Sequence, residues 1–359
     1  MKNKTFTLAF ALLTIAYGCS KNEDPDIIPG SSQEELSAAS GPASNVVVST
    51  FAGNPFSEMI DGKGTEAGFE VPTNIVIDRN GDFFIADDFH DFLRKMSRTG
   101  MVTTLTGFSE TDPNAAVDMV FDMFADRRGT LYYTDVEHGR VRKLVGKTKS
   151  TLFDTGEGIG SSLSPGIVVD RDGAVYFFHQ FQLKKIRNGK VSVVAGRPVQ
   201  GFRDGPGKQA RFGHTSGMAI AADGTIYVAD AGNRRIRKIS CKGEVRTIAG
   251  NGTQGAADGP ARNASFNFPQ GIALDRSGNL YVTDGFNHNI RKVSASGIVS
   301  TVAGGTTPGF RNGSGRSARF NFPHGIAISA SGDLYVVDEN NNRIRKIALG
   351  GSGSGLILQ

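Results

Sequence analysis

The chain repeats itself at an interval of 54 residues. The segment NRRIRKIS at 233–240 returns as NHNIRKVS at 287–294 and as NNRIRKIA at 341–348. Each copy follows a second repeated segment, which in the first of the three reads GMAIAADGTIYVAD at 217–230. A regular repeat of this length is typical of solenoids, propellers and other arrays, in which one supersecondary unit is built several times. The repeat therefore restricts the fold more than any single motif does.

Weaker copies of the same unit precede these three. They begin at Asn74, Asp122 and Gly166, and in all six copies a turn glycine follows the first residue at a distance of seven positions. Each copy contains four short runs rich in β-branched and aromatic residues, separated by Gly, Asn and Asp turns. No helical periodicity competes with this strand pattern. Six four-stranded units predict an all-β fold, a six-bladed β-propeller over residues 46–349.

The two ends of the repeat array predict how the ring closes. The sixth copy stops after its third strand, RIRKIAL at 343–349, and the missing outer strand is present at the other end as VVVSTFAG at 46–53. We expect residues 46–53 to complete the last blade, which would leave no open sheet edge at the junction.

The start of the chain is typical of an exported protein. A positively charged start and a short apolar run end in AYGCS, which resembles the lipobox of bacterial lipoproteins. The resemblance implies a signal peptide at 1–18 and a lipid on Cys19. A polar tether at 19–45 and a Gly/Ser-rich tail at 350–359 would flank the propeller. We therefore expect an extracytoplasmic, outer-membrane lipoprotein that contacts the membrane through its lipid and is exposed at the cell surface. The alternative is an ordinary signal peptide with an incidental cysteine.

The basic clusters suggest a nucleic-acid-binding protein, but the charge is too small for one. The formal net charge of +5 falls to +3 without the two lysines of the signal. Clusters on the third strands would also face different directions around a ring. An aspartate stands six positions before the apolar residue of five clusters, close enough to pair across the turn; these are Asp87, Asp135, Asp230, Asp284 and Asp338. The clusters are therefore predicted to be scaffold, and no nucleic-acid partner is expected.

The repeated pattern P-x-G-I-A-(L/I), followed by G-(N/D)-L-Y-V-x-D and N-x-x-I-R-K, resembles the NHL repeat. The match is most specific in the copies that begin at Gly217, Gly271 and Gly325. NHL-like lipoproteins accompany glycan-uptake systems, so the resemblance implies a polysaccharide or a protein partner outside the cell. We expect the chain to be a monomer.

The residues at the head of each innermost strand should surround the mouth of the central channel. Four copies have glycine at the second of these positions, whereas the first two have Asn74 and Asp122; Gln270 and His324 occupy the position before the glycine in their copies. Carboxylate, amide and imidazole groups at one pore can hold a divalent cation such as Ca²⁺ or Zn²⁺. The predicted metal set is Asp122, Asn74 and His324. No other cofactor and no catalytic residue is predicted.

Histidines are concentrated on the same face of the predicted propeller. His90, His138 and His179 fall in or beside loops between second and third strands, and His214 lies where a long loop enters an innermost strand. We take them as candidate ligand-binding residues, together with the channel-mouth group. Alternatively, His90 and His138 replace the turn asparagine with which they align.

Two functions fit these features. In the first, the chain is a lipid-anchored module that binds a ligand or a protein, with a polysaccharide as the implied ligand. The chain has no Trp, so sugar stacking would fall to loop phenylalanines, namely Phe89, Phe202, Phe286 and Phe310. The alternative is a metal-dependent lactonase, hydrolase or lyase with its site at the channel mouth. No nucleophile elbow, Gly-rich phosphate loop or Cys–His pair favours catalysis, so a non-enzymatic role is expected.

Overall fold

The computed structural model of the chain describes residues 46–87, 92–105, 120–156 and 163–350. The predicted signal peptide and tether, and residues 351–359 of the predicted tail, lie outside these ranges. Within them, the helical segments are 3-10 turns of three residues, and none is long and apolar enough to cross a membrane. The described part of the chain is therefore built from strands and turns.

The strands are short and follow one another in chain order. The first fourteen are β1 (Val47–Ala52), β2 (Gly62–Lys63), β3 (Pro72–Ile77), β4 (Phe83–Asp87), β5 (Phe92–Met96), β6 (Met101–Thr104), β7 (Val120–Ala125), β8 (Leu131–Asp135), β9 (Arg140–Val145), β10 (Thr148–Asp154), β11 (Leu163–Val169), β12 (Val175–His179), β13 (Gln182–Arg187) and β14 (Lys190–Ala195). The others are β15 (Met218–Ile220), β16 (Ile226–Asp230), β17 (Arg235–Ile239), β18 (Val245–Ala249), β19 (Gly259–Pro260), β20 (Pro269–Leu274), β21 (Leu280–Asp284), β22 (Asn289–Val293), β23 (Ile298–Gly304), β24 (Gly313–Ser314), β25 (Pro323–Ile328), β26 (Leu334–Asp338) and β27 (Arg343–Ala348).

These strands form six antiparallel sheets, one for each predicted blade. Blade 1 has the strand order β2-β6-β5-β4-β3, blade 2 is β10-β9-β8-β7, blade 3 is β11-β12-β13-β14, and blade 4 is β15-β16-β17-β18. Blade 5 is β19-β23-β22-β21-β20 and blade 6 is β24-β1-β27-β26-β25. Each innermost strand contacts the innermost strand of the next blade, and β25 of blade 6 returns to contact β3 of blade 1. The sheets thus form a closed ring around a central channel, which confirms the six-bladed propeller.

The N-terminal strand closes the ring as the sequence predicts. Strand β1 pairs antiparallel with β27, with Val48 opposite Ile347 and Ser49 opposite Lys346. Its side chains alternate, since Val48 is 1% exposed whereas its neighbour Val47 is 53% exposed. Because the first strand of the ring belongs to the last blade, the two ends of the array hold each other in place.

The turn that follows each innermost strand requires glycine. The predicted turn glycines all have φ between 77° and 85°, a left-handed conformation that costs glycine little. In blade 1, Gly81 N donates to Asp78 O at 3.0 Å, and Asp78 Oδ1 accepts the amides of Asn80 and Asp82. The seven-residue spacing from the first residue of each copy to its turn glycine therefore corresponds to one innermost strand and the first part of the turn that follows it. We call the face of the ring that carries these turns the turn face.

The arginine at the centre of a third strand is buried and paired. Arg237 is fully buried, and its Nη1 donates to Asp230 Oδ2 at 2.6 Å. Equivalent buried pairs are Arg94–Asp87 at 2.9 Å, Arg291–Asp284 at 3.2 Å, Arg345–Asp338, and, at a longer 4.0 Å, Arg142–Asp135. The predicted pairing of the five aspartates with the basic clusters is confirmed. Because these guanidiniums lie inside the ring, they are scaffold and form no surface stripe.

The remaining donors of these arginines hold the long loop that precedes each innermost strand. Arg237 donates to the carbonyl oxygens of Arg203 and Arg211 at 2.9 and 3.1 Å and to Asp204 Oδ1 at 2.6 Å, while Asp230 accepts Gly213 N at 2.9 Å. Blades 1, 5 and 6 fix their loops in the same way, through Arg94, Arg291 and Arg345. The Asp–Arg pairs thus shape the face opposite the turn face. We call it the loop face.

Blade 3 departs from this arrangement. His179 and Lys184 stand where the other blades have the aspartate and the arginine, and Lys184 Nζ lies 2.7 Å from His179 Nδ1. Gln180 and Phe181, between β12 and β13, have φ values of 51° and 59°. Positive φ at both central residues is the requirement of a two-residue type I′ hairpin turn, which usually has Asn-Gly. The connection between β12 and β13 is therefore a tight turn.

Candidate functional site

Glycines bring neighbouring blades into backbone contact at the channel mouth, on the loop face. A Cβ at Gly217 would lie 2.8 Å from Gln270 O, and one at Gly271 would lie 2.6 Å from His324 O. Gly217 N also donates to Gln270 O at 3.0 Å. No other residue type permits so close an approach of two backbones, which explains why blades 3 to 6 all begin with glycine.

Blades 1 and 2 replace this glycine with side chains that bond to each other. Asn74 Nδ2 donates to Asp122 Oδ1 at 2.7 Å. Asp122 also accepts Met123 N on Oδ1 at 2.9 Å and Ile167 N on Oδ2 at 3.0 Å. Asp122 therefore connects blade 1 with blade 3, and both of its oxygens accept hydrogen bonds from the protein.

Burial dominates the electrostatics of Asp122. The residue is 7% exposed, and this burial raises its pKa to about 7, although hydrogen bonds from Ile167, Met123 and Asn74 act to lower it. A carboxyl group that titrates near neutral pH can in principle act as a general acid or base. Here its oxygens already serve as acceptors that join three blades.

Gln270 and His324 lie at the same mouth but have other partners. Ser216 Oγ donates to Gln270 Oε1 at 2.6 Å. His324 Nδ1 lies 2.9 Å from Glu339 Oε2, an ion-pair distance without hydrogen-bond alignment. Sequence reasoning missed Glu339 because its position in the repeat has no constant residue: alanine and glycine occupy it in blades 4 and 5.

The predicted metal ligands each have a protein partner. Asp122 and Asn74 are in contact, but His324 lies beside Glu339. In the part of the chain that the structure describes, no three His, Cys, Asp or Glu side chains are placed to hold a metal ion. Metal binding by Asp122, Asn74 and His324 stays a prediction.

His138 occupies a turn position of the repeat and contacts the buried aspartate of its own blade. Its Nδ1 lies 3.0 Å from Asp135 Oδ1, and its backbone N donates to the same oxygen. In blade 4, Asn233 Nδ2 donates to Asp230 Oδ2 at 2.9 Å from the equivalent position. His138 therefore plays the same structural role as the turn asparagine of blade 4. This is the alternative that the sequence left open.

The other candidate histidines have aromatic or basic neighbours. His214 is exposed, and its ring meets Phe181 edge-on at 5.7 Å between centroids. His179 is buried beside Lys184, and its ring lies 5.6 Å from that of Phe153. His90 lies outside the described residues. The structure thus brings together Asn74 with Asp122, and leaves the predicted histidines in separate surroundings.

Three phenylalanines form a platform on blades 5 and 6, in which Phe286 is exposed and Phe268 and Phe322 are half-buried. Phe286 is 53% exposed, and its ring lies 5.1 Å from the ring of Phe268 and 5.1 Å from that of Phe322. Phe322 in turn lies 6.2 Å from the ring of His324. Phe268, Phe286 and Phe322, which we call the aromatic platform, therefore border the polar channel mouth.

The sequence identified only one member of this platform. Phe202 and Phe310 are also exposed, but Arg235 and Arg343 cover their rings at 3.8 and 4.0 Å, and Phe89 lies outside the described residues. Phe268 and Phe322 were missed. The signal that could have found them is the segment FNFP, which occurs at 266–269 and again at 320–323.

The backbone of the platform is strained. Phe268 and Phe322 have φ values of 68° and 56°, a left-handed conformation in which a bulky side chain is unusual. Gly285 N donates to Phe268 O at 3.2 Å, and Phe322 N donates to His288 Nδ1 at 3.0 Å. Burial lowers the pKa of His288, which favours the neutral ring that accepts this bond. Strain of about 1–3 kcal/mol per residue is concentrated at ligand-binding and active sites.

Comparison with known proteins identifies the repeat. Residues 320–347 match the NHL repeat, and residues 244–308 match the teneurin NHL domain. The chain is a six-bladed propeller that contains NHL repeats. Among curated proteins it is 30% identical over 183 residues to Protein SUPPRESSOR OF QUENCHING 1, chloroplastic, of Arabidopsis thaliana, a match that covers 48% of this chain and 17% of that protein. The propeller spans less than a quarter of the length of the curated relatives it matches.

Solved structures show the same fold over the whole ring. A structural genomics protein of unknown function from Bacteroides thetaiotaomicron is 20% identical with a TM-score of 0.69, over 84% of this chain and 76% of that one. An auxiliary nutrient binding protein from the same organism is 19% identical with a TM-score of 0.67, with the same coverage. At this level of identity the similarity shows the fold.

The raised pKa of Asp122 predicts a pH-dependent stability. Because the folded pKa of about 7 lies above the ordinary value of 3.8, the folded chain binds more protons than the unfolded chain between these values, and stability falls as the pH rises through this range. We expect Asp122→Asn to remove this contribution, which is on the order of 1 kcal/mol per pH unit. Urea unfolding of parent and variant from about pH 4 to pH 8 measures it. Two curves that run parallel would contradict the prediction.

Proposed function

We propose that this propeller is a lipid-anchored, extracytoplasmic binding module that captures a polysaccharide on its loop face. The observation that carries the proposal is the aromatic platform beside the polar channel mouth. Exposed aromatic rings next to hydrogen-bonding groups are the surface that a sugar ring requires, because its C–H face is apolar while its hydroxyls are polar.

The geometry assigns separate tasks to the two parts of this surface. Phe286 offers an exposed ring that is held between Phe268 and Phe322, so stacking a sugar on it orders no loose side chain. Gln270 and His324, each two positions after a platform phenylalanine, supply amide and imidazole groups. A chain lying across the loop face would therefore meet a ring platform and a polar rim together.

The comparisons support a binding role. Similar propellers from Bacteroides thetaiotaomicron and Bacteroides ovatus carry the name auxiliary nutrient binding protein. Capture of a nutrient polymer would be the corresponding role here. A metal-dependent hydrolase or lyase is the weaker proposal, because both oxygens of Asp122 accept bonds that join the blades and a reaction would have to break them.

The lipid anchor rests on the AYGCS segment and on the polar residues that follow it. A propeller tethered through Cys19 to the outer membrane would hold its loop face at the cell surface. Intact-mass analysis of the chain purified from membranes should find a diacylated or triacylated Cys19 and detergent-phase partitioning, both absent in Cys19→Ser. An unacylated Cys19, or one joined to Cys241 by a disulfide, would overturn the anchor.

Phe286→Ala should weaken polysaccharide binding about tenfold, since it removes the exposed stacking ring. The matched control is Phe202→Ala, because Phe202 is also an exposed loop phenylalanine but is covered by Arg235. An array of neutral and acidic polysaccharides identifies the polymer, and affinity gel electrophoresis measures both variants on it. If the parent binds no polysaccharide, or if both variants lose binding equally, the platform is not a sugar site.

A further inference from the structure

Two loops on the loop face each carry two arginines that stand opposite each other. In the long loop of blade 4, Arg211 N donates to Arg203 O at 3.0 Å, and Arg203 N donates to Arg211 O at 3.4 Å. Arg311 and Arg319 form the same antiparallel bridge in blade 6, with the same two distances. Residues directly opposite each other in an antiparallel pair project their side chains to the same side. Each bridge, which we call an arginine pair, therefore places two cationic side chains next to each other.

The scaffold does not require arginine at these positions. In blade 1, Ile60 and Gly68 form the same antiparallel bridge. In blade 5 the positions hold Ala257 and Ser265, and Ser265 N donates to Ala257 O at 3.2 Å. The buried arginine of each blade uses only the carbonyl oxygens of the two positions, as Arg291 does in blade 5. Because any residue supplies these carbonyl groups, the side chains of the arginine pairs are not needed to build the ring.

The arginine pair of blade 6 lies in a loop without acidic residues. Residues 305–323, which form this loop, contain no Asp or Glu. Arg316 of the same loop is paired with Asp258 of blade 5 at 2.6 Å. Arg311 Nε donates to a backbone carbonyl oxygen, and among the described residues no carboxylate lies within ion-pair distance of Arg311 or Arg319. The positive charge of this pair is therefore not offset by a carboxylate in the described part of the chain.

The arginine pair of blade 4 has an acidic neighbour whose carboxylate already has other partners. Asp204 follows Arg203 directly in the chain. Its Oδ1 accepts Nη2 of the buried Arg237 at 2.6 Å, and its Oδ2 accepts Thr247 N at 2.9 Å. Arg203 Nη2 instead donates to a neutral acceptor, Gln209 Oε1, at 3.1 Å. Asp204 thus belongs to the buried pair of the scaffold rather than to the arginine pair.

An anion from outside the chain would relieve the repulsion within each arginine pair. Like charges directly opposite each other destabilise two paired strands. A guanidinium can donate two parallel hydrogen bonds to one carboxylate or to another acidic group with adjacent oxygens. Three of the four arginines are exposed, and Arg211 is half-buried, so a ligand on the loop face can reach them. Each pair therefore fits one acidic group of a ligand.

The two arginine pairs lie on either side of blade 5, since the innermost strand of blade 5 contacts those of blades 4 and 6. Blade 5 carries Phe286, the exposed ring of the aromatic platform. A ligand that uses both pairs must therefore cross blade 5 and carry acidic groups at more than one position. We propose that the captured polysaccharide is acidic, a polymer of uronic acids or sulfated sugars, with its acidic groups on the two arginine pairs and a sugar face on the platform. This inference rests on the proposed function and adds the charge of the ligand to it.

Three acidic polymers and their neutral counterparts test this charge: polygalacturonate with its methyl ester, alginate with its propylene glycol ester, and dextran sulfate with dextran. Titration calorimetry on the purified chain measures the binding of each. We expect at least one acidic polymer to bind about tenfold more tightly than its neutral counterpart, or better. Arg311→Gln/Arg319→Gln and Arg203→Gln/Arg211→Gln should each weaken that binding about tenfold, because each removes one of the two pairs.

The matched control is Arg171→Gln/Arg276→Gln, which removes the same charge from exposed arginines of the turn face. It should bind the acidic polymer like the parent. Oligothymidylate carries regular negative charge without a chain of sugar rings that stack, and it should bind more weakly. Equal binding of acidic and neutral polymers, equal loss in the control, or oligothymidylate that binds as tightly as the acidic polymer would each overturn the proposal.

The same measurements separate this inference from the proposed function. If a neutral polysaccharide binds, loses affinity in Phe286→Ala and is unaffected by both arginine-pair variants, capture on the loop face stands and the acidic ligand is wrong. If no polysaccharide binds, both are wrong. Unfolding midpoints of the variants confirm that the ring is intact, and either arginine pair gives the test by itself if the other double variant fails to fold.

Discussion

The structure depends on a buried ion pair that is repeated around the ring. Burying an aspartate and an arginine costs several kcal/mol for each ion in desolvation, and this cost is offset only when the remaining donors and acceptors are also satisfied. Blade 5 shows how: Arg291 donates to Asp284 and Asp258, and to the carbonyl oxygens of Ala257 and Ser265. Both terminal nitrogens of the guanidinium thus donate to acceptors, most of which belong to one loop, whereas the buried Nε has no hydrogen-bond acceptor among the described residues.

This pair connects the scaffold with the binding face. The loops that Arg94, Arg237, Arg291 and Arg345 hold are the ones that lead into the innermost strands, so they position the residues at the channel mouth. In blade 5, Asp284 also accepts Asn267 N at 2.7 Å, directly before Phe268. The strained phenylalanine of the aromatic platform is therefore held one residue away from the buried pair. Blade 3, with His179 and Lys184 in these positions, has a tight turn on the same face.

The repeat made most of the fold predictable. Three features of the local sequence predict it: the strand periodicity, the turn glycines and the fixed spacing of Asp230 and its equivalents. Each recurs in enough copies to be recognised even where individual copies have diverged. Closure by residues 46–53 followed from counting strands. The last blade lacks its outer strand and the chain begins with an extra strand, so the extra strand is expected to complete the last blade, as it does.

The candidate site was less predictable because it depends on contacts between copies. The bond from Asn74 to Asp122 joins residues 48 positions apart, and the contact of His324 with Glu339 uses a position that the repeat does not fix. The platform joins Phe286 to the second phenylalanine of each FNFP segment. The first phenylalanine of these segments is fully buried, as at Phe266, so the sequence pattern indicates a core segment rather than a surface. Periodicity shows which residues are equivalent, whereas a site is built where equivalent positions differ.

Hydrogen–deuterium exchange of Arg291→Met beside Lys292→Met tests the central claim most directly. The two residues are adjacent on β22, but Arg291 is buried in the pair with Asp284 while Lys292 is only partly buried. If the buried pair organises the loop face, Arg291→Met should speed exchange in residues 251–268 at least about tenfold and leave β21 protected, whereas Lys292→Met should change neither. Unchanged protection of that loop in Arg291→Met would contradict the account.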